Sequence, residues 1–441
     1  MKTFKKGGII LNANKLSADS AIEIISIPET VYIPLLQHSG SPAIPVVDIN
    51  DKVKTGQLIA KANGKISANV HSSVSGIVKD ILEITDIRGQ LNKAIIIKTE
   101  GDEWLENIDR SNTLIKDITL SSHEIIERIK GSGIVGLGGA AFPTHIKIAG
   151  FPEKKLDLLI INGAECEPYL TADHRLMLEK GEEIIVGASI FMKALNIYKA
   201  VIGIEENKKN AIDHLTEICK NYKNIEVVTL KTKFPQGYKK QIIKAITGKE
   251  VPSQKSSTDV GCIVQNIATT FAVYEAVQKN KPLIERVVTV SGNNVKKPSN
   301  ILIRIGTPVI MAIDKAGGLP ENTEKVVSGG PMTGKIINNI HDPIVKGTTG
   351  ILVFSKREVK ILKTINCIRC CKCVDVCPMG IEPYLLALLS ENSNYKRFEK
   401  ENITDCMECG SCAYICPSGR PVLDLIRQAK IKIKESLINY K

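Results

Sequence analysis

The sequence predicts a multidomain chain of mixed α/β and α+β class in four units. These are a β-barrel at 1–105, a parallel α/β unit at 120–281, a smaller α+β unit at 282–355 and a helical, cysteine-rich unit at 356–441. Three observations carry this. Short strand-like runs punctuated by turn residues fill 30–100 and return after Pro282. Strand and helix patterns alternate between them. Near the C-terminus, one cysteine spacing occurs twice.

At 441 residues, several domains are expected. The 43 % hydrophobic and 24 % charged content is that of an ordinary globular protein. No apolar run approaches the ~18–20 residues of a membrane span, and Met1–Gly8 lacks the apolar core of a signal peptide. Twelve cysteines, eight of them in the doubled spacing, suggest ligands rather than a disulfide framework, and a reducing cytoplasm. Once the negative charge of bound groups is counted, the formal charge of +12 falls to about +6, too mild to argue for a nucleic-acid partner, and with 4 % aromatic residues no aromatic-rich basic patch appears.

Taken in order, the barrel comes first. Asp51–Ala60 reads D-K-V-K-T-G-Q-L-I-A, and Lys65–Val78 follows with S-A-N-V-H-S-S-V-S-G. The pair resembles the lipoyl-like, flattened β-barrel of lipoyl and biotinyl carriers. The hairpin Lys61–Lys65 lacks the flanks of a modified lysine, so a docking barrel is expected rather than a carrier.

A polar connector leads to an amphipathic helix from Ser122, with Ile125, Ile126 and Ile129 on one side. Next comes G-I-V-G-L-G-G-A-A-F-P-T-H-I-K, Gly133–Lys147. Gly136 to Ala141 fits the loose G-x-G-x-x-A pattern. That pattern requires a preceding strand, and here a helix precedes it, so the dinucleotide fingerprint fails its own context. Four glycines in seven residues still let backbone N–H groups approach a flat ring or a phosphate, with Lys147 as a cation.

An apolar strand at 156–161 ends at Asn162 and runs into N-G-A-E-C-E-P-Y. Asn162, Glu165 and Glu167 thus stand where a strand meets its loop, the ligand edge of an open sheet. Glu165 and Glu167 could equally decorate a helix N-terminus. Helix 182–196, strand 199–204, helix 207–221 and strand 225–230 continue a Rossmann-like parallel unit. Gln241–Ile246 reads as helical, and Asp259–Thr270 as the opening of a helix offering Asn266 and Thr269. From Pro282 strands return at 286–291 and 301–305, with G-G-P-M-T-G at Gly329–Gly334, which suggests a β-grasp-like (SLBB) unit.

The last unit is the most specific. Cys367, Cys370, Cys373 and Cys377 have the spacing C-x2-C-x2-C-x3-C-P, and Cys406, Cys409, Cys412 and Cys416 repeat it. This is the ligand run of a ferredoxin-like unit with two [4Fe-4S] clusters, in which each fourth cysteine ligates the other cube. One cluster takes Cys367, Cys370, Cys373 and Cys416. The other takes Cys406, Cys409, Cys412 and Cys377. Structural zinc needs paired CxxC halves, not a third and fourth cysteine in this register. Cys371 falls outside the spacing. The tail from Leu425, with Arg427, Lys430, Lys432 and Lys434, reads as a solvated basic helix, with an anionic membrane surface as the other use.

Together the Gly-rich loop, N-x-x-E-x-E-P, V-Q-N-I-A-T and the doubled cysteines resemble the C subunit of the Rnf electron-transport complex over nearly the whole chain. More distantly they resemble the NADH-oxidising flavoprotein subunit of respiratory complex I. The resemblance implies FMN held by Gly136, Gly138, Gly139, Ala140, Lys147, Asn162, Glu165, Asn266 and Thr269. It places Phe142 and Glu167 near the nicotinamide of NAD(H), with Glu165 and Glu167 at the reacting centre. Three departures stand out. Gly7–Asn12 lacks the family's usual His-Pro-Pro after its glycines. Gly237-Tyr238-Lys239-Lys240 replaces the acidic G-E-E of the complex I relative. Cys371 replaces a glycine.

The implied activity is a ferredoxin–NAD oxidoreductase subunit. Electrons would pass between NAD(H), FMN and two clusters, in either direction, at the cytoplasmic face of the membrane. Its partners would be integral and peripheral subunits of an Rnf-type complex, and ferredoxin indirectly. A cobalamin-reductase-like protein and a non-catalytic electron relay are the alternatives. The N-terminal barrel argues against the first, and the intact Gly-rich loop with Glu165 against the second.

Overall fold

The computed structural model describes residues 1–441 except 88, 151–154, 360–362 and 440–441, so the last two residues of the expected tail lie outside the described residues. The described residues build four sheets. The sheet that carries the Gly-rich loop is parallel throughout, in the order Ile225–Leu230, Lys199–Glu205, Leu158–Gly163, Cys262–Asn266. Apolar side chains on successive residues serve opposite faces, as the strand period of two requires. Leu159 and Ile161 pack with the helices Gly181–Leu195 and Ile267–Gln278 on one side. Ile160 and Val264 pack with Ile242 and Ile243 of the helix Lys239–Thr247 on the other. Both faces are covered, as a parallel sheet demands.

The helix expected from Ser122 spans Ser122–Gly131, and Ser121 with Glu124 forms a capping box at its start. Ile125 and Ile129 are buried, and Ile126 packs against the same core. One expectation is corrected. Residues 262–266 are a strand, Cys262–Asn266, and the helix begins only at Ile267, with the Asn266 side chain as its N-cap. The sheet needs a fourth strand beside Leu158–Gly163, and pairing there outweighs the short local signal.

The barrel is two sheets. Thr30–Pro34, Leu91–Thr99, Gly76–Thr85 and Lys52–Val53 form one, and Ile44–Pro45, Leu58–Lys61 and Val70–His71 the other. Val31, Ile33, Ile59, Val70, Val78, Ile95 and Ile97 fill the space between them. Within the expected unit 1–105, the first 24 residues run outside these two sheets. Lys2 bridges Leu230 and Ile9 bridges Phe234 in the parallel unit, while Ile22–Ile24 adds a parallel edge strand to Ser299–Arg304. That strand completes a six-stranded mixed sheet with Glu285–Ser291, Gly350–Ser355, Thr323–Ser328 and Lys335–Ile336.

In the cysteine-rich unit, the helices Lys372–Asp375 and Ser411–Tyr414 each carry a third cysteine, and the fourth follows in a turn. The next helix starts at Pro383, after Pro378 and the turn through Gly380. Helix Val422–Asn439 packs back on this unit rather than standing free. Arg427 pairs with Glu408, and Lys430 donates to Glu408 and to the carbonyl of Cys406, at 2.7 Å. Lys432 lies over the Tyr395 ring. The reading of a solvated basic tail is therefore corrected for Arg427 and Lys430, whose charges brace the loop that carries Cys406 and Glu408.

Among the described residues no helix is long and apolar enough to cross a membrane.

Candidate functional site

Asn162 and Asn266 end adjacent parallel strands and stand opposite each other in register. The Gly-rich loop lies over this carboxyl edge. A Cβ on Gly138 would come within 3.4–3.5 Å of the Asn266 side chain, and the buried Thr269 hydroxyl accepts the Leu137 N–H at 2.8 Å. Gly136 N–H donates to the Phe142 carbonyl at 2.9 Å, which closes the loop on itself. Gly138, Gly139 and Ala140 remain exposed at its tip, and a Cβ on Gly139 would meet nothing within 4 Å. The result is an open backbone shelf above two strand ends.

Most of the side chains expected at the site build this shelf. Asn266 Oδ1 accepts Thr269 N–H, and its Nδ2 donates to Asp173 at 2.6 Å. Asn162 Nδ2 donates to the Gly237 carbonyl at 2.7 Å. The Glu165 carboxylate accepts Asp173 N–H at 2.8 Å and His174 N–H at 3.3 Å, at the start of the helix Ala172–Glu179. Glu165 is thus a helix-terminus acceptor, and its φ of +42° shows the sharp turn it occupies. Burial, reinforced by Glu165, pushes the Asp173 carboxyl up to about 7. Lys147 donates to Gln265 Oε1 and to the Val264 carbonyl, and burial with Lys239 nearby lowers it to about 7. Among the described residues the buried Gln265 Nε2 has no partner.

Glu167 is turned elsewhere. Its carboxylate accepts Met332 N–H at 3.0 Å and the Thr333 hydroxyl at 2.5 Å, and burial raises its pKa. It therefore clamps the Gly329–Gly334 turn of the mixed-sheet unit.

Three cations unremarked in the sequence complete the frame. Lys15 donates to the carbonyls of Glu165, Glu167 and Leu170. Arg286 donates to the Leu137 and Lys346 carbonyls, and Lys346 to those of Asn69 and Gly133, both at 2.8 Å. Their partners are distant carbonyls, which no local motif announces.

Four of the eight expected ligand cysteines line one cleft. A cleft of about 350 Å³, partly open to solvent, is lined by Cys377, Cys406, Cys409 and Cys412 with Ile381, Leu423 and Ile426 around them. Four thiols in an apolar wall fit one cube. Cys367 and Cys370 are exposed, as is Cys371. Cys409 shares an apolar patch with Cys166, Met332, Phe234, Tyr238 and Met407. Cys166 sits between Glu165 and Glu167, so this patch runs from the acidic loop to Cys409. Burial pushes the Cys166 thiol well up, which keeps it a neutral packing group.

The chain shares this arrangement with known proteins. Residues 129–275 match the Nuo51 FMN-binding domain, 2–102 the RnfC barrel sandwich hybrid domain, 287–335 the SLBB domain and 359–417 the 4Fe-4S dicluster domain. The C subunit of the proton-translocating ferredoxin:NAD(+) oxidoreductase complex of Clostridium ljungdahlii is 45 % identical over 98 % of this chain and 94 % of its own length. The chain belongs to the RnfC family. Another member, the C subunit of the Na(+)-translocating complex of Acetobacterium woodii, is 41 % identical over 92 % of this chain and 91 % of its own length. Beyond the RnfC family, an NAD+-reducing [NiFe]-hydrogenase superposes with a TM-score of 0.51 at 18 % identity, over 71 % of this chain and 62 % of that one, which is a likeness of fold.

Proposed function

We propose that this RnfC-family protein carries electrons between NAD(H) and two [4Fe-4S] clusters through FMN, within an ion-translocating ferredoxin:NAD oxidoreductase complex. The observation that carries this reading is the apolar patch joining Cys166, beside the shelf, to Cys409 of the inner thiol set. On this reading, a two-electron site and a one-electron site lie on either side of one packed contact.

FMN supplies the exchange between hydride pairs and single electrons, and the clusters supply one-electron storage. The chain's own residues bind and orient. Gly136, Gly138, Gly139 and Ala140 offer open backbone to the flavin, backed by Asn162, Asn266 and Thr269. Lys147 supplies the cation for its phosphate, and the orphaned Gln265 Nε2 beside it is a donor in want of an acceptor. Glu165 fixes the loop that bears Cys166. Phe142 stands at the nicotinamide side. Glu167 acts at the junction, holding Met332 in the patch, rather than on the nicotinamide.

Cys377, Cys406, Cys409 and Cys412 hold the inner cluster. Cys367, Cys370, Cys373 and Cys416 hold the outer one, whose exposed ligands face the next carrier, a neighbouring protein of the complex that connects to ferredoxin. The protein is peripheral, at the cytoplasmic face, and docks on integral subunits through its barrel. Anaerobic purification, flavin extraction and an iron count test the reading. About one FMN and about eight irons per chain are expected, together with NADH-driven reduction of an artificial acceptor. A chain with its irons but no flavin would be an electron relay instead.

A further inference from the structure

The N-terminal segment is threaded between the two cofactor units. On the flavin side, Lys2 N–H donates to the Thr229 carbonyl, and Lys2 Nζ to the Ile246 carbonyl at 2.9 Å. Phe4 is buried, with the Lys233 ammonium 4.3 Å from its ring centre. Ile9 and Phe234 exchange two backbone hydrogen bonds of 2.8 Å each. Between these anchors the strap turns to the inner cluster. Gly8 N–H donates to the Val376 carbonyl at 2.8 Å, one residue before the ligand Cys377.

The approach is too close for any side chain. A Cβ on Gly7 would lie 2.5 Å from the Cys377 carbonyl carbon and oxygen, and one on Gly8 2.7 Å from the Phe4 ring and 2.9 Å from the Phe234 carbonyl. Both glycines have left-handed φ, +63° and +81°. Backbone therefore packs against the backbone of a cluster ligand on one side and of the flavin unit on the other. Phe234 and Val376 also line the apolar patch between the two sites.

We propose that the N-terminal strap, through Gly7 and Gly8, is a positioning element that sets the Cys377 loop against the flavin unit and so fixes the spacing across which electrons pass. This rests on the proposed function. Two electrons enter as a hydride from NADH and leave singly through the inner cluster, then the outer one, to an added acceptor. The strap takes no part in that chemistry. It holds the relay distance, and a misplacement of about 1 Å can cost about a hundredfold in a geometry-limited step.

The test uses the full-length protein with its cofactors and compares Gly7→Ala, a deletion of residues 2–6 and Gly131→Ala. The last is a control, because a Cβ there meets nothing within 4 Å. Stopped-flow absorbance after anaerobic mixing with NADH follows flavin bleaching and cluster reduction separately. Hydrogen exchange reads the amides of Gly8 and of residues 374–380, with or without flavin. Both strap variants should keep about eight irons, their flavin and the parental bleaching rate. They should lose about tenfold or more in cluster reduction, with faster exchange at 374–380. The control should match the parent. Unchanged cluster reduction in both variants overturns the proposal. So does joint loss of flavin and iron, which would make the strap a folding element. A parent that binds no flavin would refute the proposed function instead. The exchange arm would then still decide whether the strap clamps the loop.

Discussion

The Glu167 carboxylate accepts the N–H of Met332 at 3.0 Å, and the Met332 carbonyl lies 2.8 Å from the place a Cβ on Gly410 would take. One turn of the mixed sheet is thus gripped by the acidic loop on one side and touches the inner cluster loop on the other. Gly410, with φ of +80°, follows Cys409 directly, so the grip reaches a cluster ligand through three backbones.

Gly138→Val should remove flavin and spare the clusters. The side chain would crowd Asn266 at the shelf, whereas the thiols belong to a separate unit. Flavin content and NADH-driven dye reduction should both fall at least tenfold, with the iron count unchanged. Normal dye reduction in this variant would remove the loop from the site.

Cysteine substitutions should follow the register. Cys370→Ala should cost about four of the eight irons. Cys371→Ala should cost none, since its exposed thiol lies outside the spacing. Iron loss from the second variant would mean that the ligand register is shifted.

Lys147 predicts a pH dependence. Its folded value, near 7 against the usual 10.5, means that the unfolded chain binds more protons between those limits. Stability without ligand should rise with pH across that window. A bound phosphate acts the other way, because it favours the charged ammonium. FMN affinity should therefore strengthen as pH falls from about 9 towards 7, and Lys147→Met should flatten the profile. Fluorescence titration with FMN at several pH values checks the affinity slope, and denaturant unfolding without FMN checks the stability slope.

Lys15→Met should loosen the acidic loop. Three carbonyls lose their shared donor, and each uncompensated buried acceptor costs about 1–3 kcal/mol, less than additively. A loss of about 2–4 kcal/mol in unfolding free energy is expected, with weakened flavin binding. Denaturant unfolding of the parent and variant gives the comparison.

What can be read from the sequence depends on how local each signal is. The cysteines of each repeat lie within a few residues of each other, so their spacing is plain in the sequence and the expected sets are read from it. The apolar run before Asn162 and the flanking helices are equally plain. Cys262–Asn266 is not, because a five-residue strand running into a helix has no period of its own and is defined by its neighbour Leu158–Gly163. The pattern puts Glu165 at the right edge, yet its carboxylate serves a helix terminus. Glu167 points to a turn more than 160 residues away in the chain. Lys15, Arg286 and Lys346 answer carbonyls brought near only by folding, and the strap's course depends on contacts at both of its ends.

The unequal burial of the two thiol sets matters for handling the protein. Cys377, Cys409 and Cys412 are at most 8 % exposed, whereas Cys367 and Cys370 stand in solvent. On the proposed assignment, oxygen and chelators should reach the outer iron first. A briefly aired sample should then keep its flavin and inner cluster, bleach with NADH and still reduce small dyes. It should no longer hand electrons to a protein acceptor, so a dye assay would certify as intact a protein already disconnected from its complex.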